Sequence, residues 1–388
     1  MAIHLFNPDT DQALAHHGAH YLPSKSIIQL MDDLALLPLW YAPAGSALLV
    51  PRATTAAALP PALQTFAAQD ITLLTWDQLA AANGHRIIPW GWNLALRHRL
   101  LQSGVDESLL PTAQQIETLR QLSSRHTIAP LLDAFAGRPQ FVGQVQCLTT
   151  LEQCRSYVDG RPSLLKLPWS SSGKGLNWCR HGFTPLIQSW CAKALRTQGS
   201  IQAAPIYNKV FDFAMEFHLA APGQCRFIGY SRFTTNDSGA YQGNLLASDA
   251  RIEHEIHTYL PAGTLSLTRQ LLLPALTELS HRYQGPLGID MMVCLEEGTY
   301  RLHPCVEMNL RLNMGIVAHT IHRRHLHPDA CGHFRLHHFP TPQALQAEAA
   351  RLAALHPLQL DEGRILHGFM PLVPITPQTQ NLAYLLVE

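Results

Sequence analysis

The chain has 388 residues, of which 47% are hydrophobic and 14% charged, enough for two or three domains with buried cores. Lysine plus arginine and aspartate plus glutamate each total 28, so there is no basic excess to bind a nucleic acid or an anionic membrane. Without a long apolar run or a secretory signal, we expect a soluble, cytoplasmic protein. The eight cysteines form no CxxC pair, which indicates reduced, mostly buried thiols.

The first hundred residues alternate short apolar runs with helical patterns, which is typical of a small α/β unit with a parallel sheet. The strand-like runs are 3–6, 47–50 and 71–75, and 26–37 has helical spacing. A further helix is predicted over 90–102, and we expect a second domain to begin near Pro111.

The middle of the chain changes from mixed elements to long strands. Two helices fit 114–136, with Ser123 or Ser124 capping the second, and 141–145 and 164–167 are strand-like. Beyond residue 205, apolar and polar residues alternate with period two over 211–219. A turn at 221–224 and a returning segment over 225–234 then predict an antiparallel meander.

A predicted hairpin around Gly298 carries the most informative polar residues. Side chains alternate along a strand, so Glu307, Asn309 and Arg311 share one face, and Asp290 is expected opposite Glu307. Two facing carboxylates require a proton, a basic side chain or a metal, and these oxygen ligands suit Mg²⁺ or Mn²⁺ better than zinc. A structural ion pair, in which Arg311 or another base neutralises the carboxylates, is the alternative.

A serine- and glycine-rich loop follows the apolar strand that carries Lys166. Its sequence, SSSGKG over 170–175, exposes backbone N–H groups that can wrap an anion such as phosphate. It is not a Walker A loop, because Pro168 and Gly175 stand where glycine and serine or threonine would be required. An ordinary flexible turn remains the alternative.

The order of these features resembles the ATP-grasp superfamily over roughly residues 115–320. The resemblance implies an α/β and α+β chain. A parallel α/β domain of the kind that precedes ATP-grasp modules would occupy 1–112, and a two-subdomain ATP-grasp module with antiparallel sheets would occupy 113–388. Within the module, a nucleotide-lid subdomain is implied over about 125–204, and a metal and substrate subdomain over about 205–388.

The resemblance also implies roles for individual residues. The implied ATP-binding residues are Arg125, Lys166, Ser170, Ser171, Ser172, Gly173, Lys174, Gly175, Ala203, Ala204 and Asp212. The implied magnesium ligands are Asp290, Glu307 and Asn309, the last two through an ExN pattern. Lys174 and Arg311 would be catalytic, and Arg232, Tyr241 and Asn244 would line the substrate pocket.

The chain departs from the family pattern at two places. Ala203 and Ala204 stand where an acidic hinge residue usually helps to hold adenine, so that contact would use backbone groups. Gly288 replaces an arginine that many members carry two residues before the first metal ligand, and Arg311 or Arg232 would supply that charge.

The function implied by the resemblance is that of an ATP- and magnesium-dependent ligase. It would join a small-molecule or peptide carboxylate to an amine, or to a thiol, through an acyl phosphate. The alternatives are a phosphotransferase and a non-catalytic nucleotide-binding sensor or scaffold. Neither nucleic acid nor membrane is an expected partner. The sequence leaves the oligomeric state open, although the homodimer is the commonest closed assembly.

Two further segments leave their interpretation open. Asn7, Asp9, Asp11 and the PWGW segment 89–92 resemble motifs of uncharacterised bacterial ATP-grasp proteins and imply no reaction. The histidine-rich segment 319–338 suits a zinc site or a pH sensor, or alternatively a helix surface near the active site.

Overall fold

The computed structural model describes residues 2–52, 59–67, 71–82, 84–170, 173 and 175–388. The chain divides into two compact units. The first comprises Met1–Ile116, Gln242–Asp249 and Leu312–Glu388, and the second Glu117–Tyr241 and Ala250–Arg311. The domain and subdomain boundaries implied by the sequence stay predictions.

The elements of regular structure follow one another along the chain. The strands are β1 Ala2–Leu5, β2 Ala47–Leu49, β3 Thr72–Leu74, β4 Arg86–Pro89, β5 Gln146–Leu148, β6 Ser163–Lys166, β7 Leu176–Cys179, β8 Ile201–Pro205, β9 Lys209–Ala221, β10 Gln224–Thr235, β11 Tyr241–Leu246, β12 Gly285–Glu296, β13 Thr299–Asn309, β14 Gly332–His338, β15 Gln359–Asp361, β16 Arg364–Pro371 and β17 Asn381–Val387. The helices are α1 Thr10–His16, α2 Lys25–Asp33, α3 Pro61–Ala67, α4 Leu94–Gln102, α5 Ala113–Leu122, α6 Ala129–Asp133, α7 Leu151–Gly160, α8 Pro185–Gln198, α9 Asp249–His257, α10 Thr264–Leu279, α11 Met314–His325 and α12 Pro342–Leu355. Short 3₁₀ helices occupy Leu37–Trp40, Trp76–Ala82, Glu107–Leu109 and Arg125–Ile128.

The first unit contains the predicted parallel sheet. Its strands lie in the order β3-β2-β1-β4, and each neighbouring pair is parallel. Ile3 and Leu5 of β1 pack with Leu96 and Leu100 of α4 in the core of this layer. The parallel α/β architecture predicted for the first hundred residues is therefore confirmed.

Side chains from the two loops at the carboxyl ends of β1 and β4 hold the loops together. Asn7 Nδ2 donates to the Gly91 carbonyl at 2.7 Å, and Asn93 Nδ2 donates to Thr10 Oγ1 at 3.1 Å. A Cβ atom on Gly91 would lie 2.6 Å from Thr10 Cγ2, so the loop approaches closely enough to require glycine. The Asn7 and PWGW motifs therefore have a structural role at this edge of the sheet.

The first unit also contains an antiparallel set of strands in the order β14-β17-β16-β15. The C-terminal part of the chain joins the N-terminal part through hydrogen bonds in this unit. Trp40 Nε1 donates to the Leu372 carbonyl at 2.7 Å, and Arg324 donates to the carbonyls of Tyr41 and Ala42.

The second unit contains a small antiparallel sheet in the order β5-β8-β6-β7, with α7 and α8 contributing to its core. The strand predicted over 141–145 is wrong. Phe141 forms an isolated bridge with Leu302, and the strand starts at Gln146. Gly143 interrupts the extended chain with a φ of +131° against the His303 ring.

A larger antiparallel layer of the second unit has the strand order β13-β12-β9-β10. The predicted meander and hairpin are confirmed, since β9 pairs with β10 and β12 pairs with β13. Ser124 precedes the 3₁₀ helix Arg125–Ile128 and accepts a bond from the His126 amide, as predicted for a cap.

The cysteines and the lengths of the helices can be checked against the sequence analysis. All eight cysteines lie within them, and they are free thiols, most of them buried. In the described part of the chain, no helix is both long and apolar enough to cross a membrane.

Candidate nucleotide and metal site

The two strands β12 and β13 bring the predicted polar residues onto one face of the second unit. Asp290 pairs directly with Glu307, as predicted, and Gly288 pairs with Asn309. Asn309 Nδ2 donates to Asp290 Oδ2 at 3.1 Å. Arg311 lies just beyond β13 and donates to Asn309 Oδ1 at 3.0 Å, so it joins the same hydrogen-bonded row.

Strand β9 adds a carboxylate that sequence reasoning assigned to the polar side of a strand but not to the site. Glu216 lies opposite Gly288, and Ala214 lies opposite Asp290, so Glu216 shares the face of Asp290. The side chain of Glu216 is 1% exposed and accepts a hydrogen bond from Ser231 Oγ at 2.7 Å. The sequence signal that could have indicated a role for Glu216 is its position as a carboxylate within a mostly apolar, strand-like run.

The neighbouring carboxylates raise the cost of ionising Asp290. Burial raises the pKa of Asp290 well above its ordinary value, and the neighbouring Glu307 and Glu216 raise it further, against the hydrogen bond from Asn309. A cation near this face would therefore favour the ionised form of Asp290. Two carboxylates and an amide oxygen are donors that fit a hard divalent ion such as Mg²⁺.

Arg125 connects this face to the serine- and glycine-rich loop. Its guanidinium pairs with Glu307 Oε1 at 2.8 Å, and it donates to the Leu167 carbonyl at 2.8 Å and to Ser170 Oγ at 2.6 Å. The side chain is only 5% exposed. The basic group that neutralises Glu307 is therefore Arg125 rather than Arg311, which the sequence analysis had named as one candidate.

Lys166 is a second buried cation beside the carboxylates. Its side chain is 7% exposed, and Nζ lies 3.4 Å from the Val306 carbonyl. Burial, followed by the charge of Arg125, lowers the pKa of Lys166 to about 8, although the Glu307 and Asp290 carboxylates oppose that shift. A bound anion would therefore stabilise the charged form of Lys166.

The loop after β6 has a backbone that requires its glycines. Gly173 has a φ of +68°, and a Cβ there would lie 2.7 Å from the Ala240 nitrogen. Gly175 has a φ of +72°, and a Cβ there would lie 2.7 Å from Ser170 Cβ and Oγ. Both positions therefore leave no room for a side chain. Three residues of the predicted loop lie outside the described residues, and their roles stay predictions: Ser171, Ser172 and Lys174.

The hinge predicted at Ala203 and Ala204 lies in β8, where both residues are buried. Their neighbour Gln202, which sequence reasoning missed, is fully buried and donates from Nε2 to the backbone carbonyl of Arg125. This bond ties the hinge strand to the segment that carries Arg125. No local pattern in the sequence indicates it, because the partners lie far apart in the chain.

The other predicted binding residues have partners of their own. Asp212 accepts from Lys209 Nζ at 2.6 Å and from Thr235 Oγ1 at 3.0 Å. Arg232 pairs with Glu255 and lies over the Phe211 ring.

The predicted substrate residues Tyr241 and Asn244 lie in β11, on either side of the boundary between the two units. Tyr241 ends a segment of the second unit. Asn244, which is buried, belongs to the first unit and pairs with Phe334 of β14. The substrate roles of these residues stay predictions.

The histidine-rich segment contributes two buried histidines to the first unit, His319 and His322. His319 Nε2 lies 3.2 Å from Asp249 Oδ2, and burial lowers the pKa of His322, one helical turn further along. Within the residues that the structure describes, no three or more His, Cys, Asp or Glu side chains are grouped so as to hold a metal. The zinc interpretation therefore finds no support in the described residues.

No protein-family model and no curated protein matches the chain. Among solved structures, it is similar to a biotin carboxylase from Campylobacter jejuni in complex with a β,γ-ATP ligand, with a TM-score of 0.53 and 11% identity over 100% of this chain and 87% of that one. It is also similar to the biotin carboxylase domain of the 2-oxoglutarate carboxylase from Hydrogenobacter thermophilus, solved with MgADP and bicarbonate, with a TM-score of 0.50 and 11% identity over 99% of this chain and 85% of that one.

A third similar structure is an N5-carboxyaminoimidazole ribonucleotide synthetase from Thermus thermophilus, with a TM-score of 0.48 and 13% identity over 100% of this chain and 93% of that one. At such identities a likeness shows the fold and not the reaction. The chain therefore has the fold of the ATP-grasp superfamily, the family that its motifs resemble.

Proposed function

We propose that the chain is an ATP- and Mg²⁺-dependent ligase that joins a carboxylate to an amine or a thiol through an acyl phosphate. The observation that carries this proposal is the juxtaposition of Asp290 and Glu307 with two buried cations, Arg125 and Lys166. A fold needs no such concentration of opposite charges for its stability, because buried ions are costly to desolvate. A site for a metal-bound polyphosphate does need it.

The donors present fit the ion that the proposal requires. Asp290, Glu307 and Asn309 would hold Mg²⁺, which supplies positive charge beside the transferring phosphoryl group. Lys166 would bind a phosphate oxygen. The glycine-rich backbone at Gly173 and Gly175 would approach the phosphates closely.

Residues beyond the metal ligands would position the reacting carboxylate. Arg311 is held by Asn309 and would offset the negative charge that develops as the carboxylate attacks the γ-phosphorus. The amine or thiol would then attack the acyl carbon and release inorganic phosphate. The solved structures with related folds bind ATP or MgADP, and one also holds bicarbonate, which supports this assignment of ligand class.

The acyl-phosphate route can be tested with an oxygen label. A panel of carboxylates labelled with ¹⁸O would be incubated with the protein, Mg²⁺, ATP and a set of amines or thiols. We expect ADP and phosphate in equal amounts, with one labelled oxygen in each phosphate. A stable phosphorylated product would instead indicate a phosphotransferase, and unlabelled phosphate would exclude transfer to the carboxylate.

A pair of glutamate variants provides the control for that assay. Glu307→Gln should abolish turnover, because it removes a charged ligand from the proposed metal site. Glu152→Gln makes the same chemical change on the exposed first turn of α7 and should leave turnover unchanged.

A further inference from the structure

Arg125 makes contacts on both sides of the proposed site within the second unit. One nitrogen of its guanidinium, Nη2, pairs with Glu307 Oε1 at 2.8 Å. The other, Nη1, donates to Ser170 Oγ at 2.6 Å and to the Leu167 carbonyl at 2.8 Å. One side chain therefore holds a proposed metal ligand and the first residue of the proposed phosphate loop.

These contacts are strong because the arginine is withdrawn from water. Its side chain is 5% exposed, and a charge-assisted bond in such surroundings is stronger than one at the surface. The backbone of the same residue is also fixed, since its amide donates to the Pro168 carbonyl at 3.0 Å and its carbonyl accepts from Gln202. The guanidinium is therefore held in place to act on Glu307.

Two cations that use the same carboxylate compete for it. A divalent ion bound to Glu307 would weaken the attraction between that carboxylate and the guanidinium of Arg125. The two cations would also repel one another at close range. The affinity of the protein for the metal alone is therefore reduced by the strength of the Arg125–Glu307 pair.

We propose that Arg125 is an internal competitor of the metal ion and that it couples metal binding to nucleotide binding. This inference rests on the proposed function. A nucleotide phosphate that attracts the guanidinium weakens its hold on Glu307, so that Glu307 becomes available to the metal. Because coupling is reciprocal, the metal then raises the affinity for the nucleotide by the same factor.

The coupling predicts effects of opposite sign when Arg125 is replaced. Arg125→Gln removes the competitor, so Mn²⁺ alone should bind about tenfold more tightly, as expected for the loss of one charge-assisted contact. The same change removes a cation that would meet the phosphates and releases Ser170, so ADP without metal should bind about tenfold more weakly. A purely structural arginine would lower both affinities.

The experiment uses the full chain and two separate titrations. Mn²⁺ binding is followed by the electron paramagnetic resonance signal of the free ion, and ADP binding in EDTA is followed by calorimetry. Arg196→Gln is the matched control, because Arg196 is exposed in the last turn of α8 in the same unit. The control should reproduce both wild-type affinities.

A conservative variant keeps the test valid if Arg125→Gln does not fold. Arg125→Lys retains the charge, but its single nitrogen cannot serve Glu307, Leu167 and Ser170 together. We expect it to bind Mn²⁺ about threefold more tightly than wild type, because the competitor is weakened rather than removed.

The outcomes separate this inference from the proposed function. Tighter Mn²⁺ with weaker ADP in an Arg125 variant would support the coupling. If wild type binds MgATP but the folded variants bind Mn²⁺ no more tightly, the coupling is refuted and the proposed function stands. If folded wild type binds neither Mn²⁺ nor ADP, both are refuted.

Discussion

Replacing Lys166 by methionine is expected to stabilise the ligand-free protein while weakening its binding of ATP. The lysine is 7% exposed, and burial lowers its pKa from 10.5 to about 8. At neutral pH it is therefore held mostly charged in surroundings that favour the neutral form. A side chain that destabilises the fold in this way is typical of a functional site.

The magnitude follows from the difference between the two pKa values. A difference of about 2.5 units corresponds to about 3 kcal/mol in the free energy of unfolding at pH 7. Methionine removes this cost, but it also leaves Glu307 and Asp290 with one cation fewer. The expected net gain is therefore about 1–3 kcal/mol.

The pH dependence of stability provides a second, independent test of the cost of burying Lys166. Between about pH 8 and 10.5 the unfolded chain binds a proton at Lys166 that the folded chain has lost, so the stability of wild type rises with pH across that window. Lys166→Met should lose this rise. At the same time its affinity for MgATP should fall at least about tenfold, because a cation that would contact phosphate is gone.

The assay is urea unfolding at pH 7 and pH 9.5, with MgATP binding measured by calorimetry. Lys193→Met is the control, because Lys193 is exposed on α8 and its replacement should change neither quantity. A Lys166→Met protein that is less stable than wild type at pH 7 and binds MgATP normally would refute the reasoning.

Two further predictions concern the first unit. Burial raises the pKa of Asp9, which is 6% exposed, from 3.8 to about 6. The contribution of its protonated form to stability is therefore complete below about pH 4 and is lost as the pH rises through 6. Over that range the free energy of unfolding should fall by about 3 kcal/mol. Asp9→Asn should therefore flatten the dependence of the urea midpoint on pH between 4 and 6, and an unchanged slope would contradict this origin. Gly91→Ala should destabilise the protein by about 1–3 kcal/mol, because the new Cβ would lie 2.6 Å from Thr10 Cγ2. Thermal melting should show partial recovery when Thr10→Ala is added, whereas equal melting temperatures of the single and double variants would exclude this clash.

The face that carries the metal ligands could be predicted, but its exact register could not. Gly298, at a φ of +76°, forms the tight turn between β12 and β13, and Glu296 pairs with Thr299 beside it. Regular counting from that pair would place Asp290 opposite Cys305, whereas an irregularity between Asp290 and Met292 shifts its partner to Glu307. Because the shift is by two residues, the alternation of side chains still places Asp290 and Glu307 on the same face.

The partners of these residues could not be predicted, because they come from distant segments. The Arg125–Glu307 pair joins a 3₁₀ helix to a strand far along the chain, and no local pattern specifies it. The hydrogen bond from Gln202 to the Arg125 carbonyl also joins distant segments, and no local pattern in the sequence indicates it. Burial of Glu216 depends on how β9 is covered, which period-two alternation alone does not determine.

The contact between the two ends of the chain in the first unit also lay beyond sequence reasoning. The segment 342–355 has the residue spacing of a helix and forms α12. Nothing in that pattern indicated that Leu372, further along, would accept a hydrogen bond from Trp40. Such contacts depend on how completed elements pack, and a pattern within one element does not contain that information.

The most direct test of the proposed site is the melting temperature of wild type and of Glu307→Gln, each without ligand, with ATP in EDTA, and with ATP plus Mg²⁺. Ligand at a hundred times its dissociation constant should add about 2.7 kcal/mol to wild type, which is a shift of several degrees. We predict that the shift in wild type and in Glu152→Gln is larger with Mg²⁺ than with ATP alone, and that Mg²⁺ adds nothing to the shift of Glu307→Gln. If folded wild type shows no shift, or if Glu307→Gln responds as wild type does, the proposed metal and nucleotide site is contradicted.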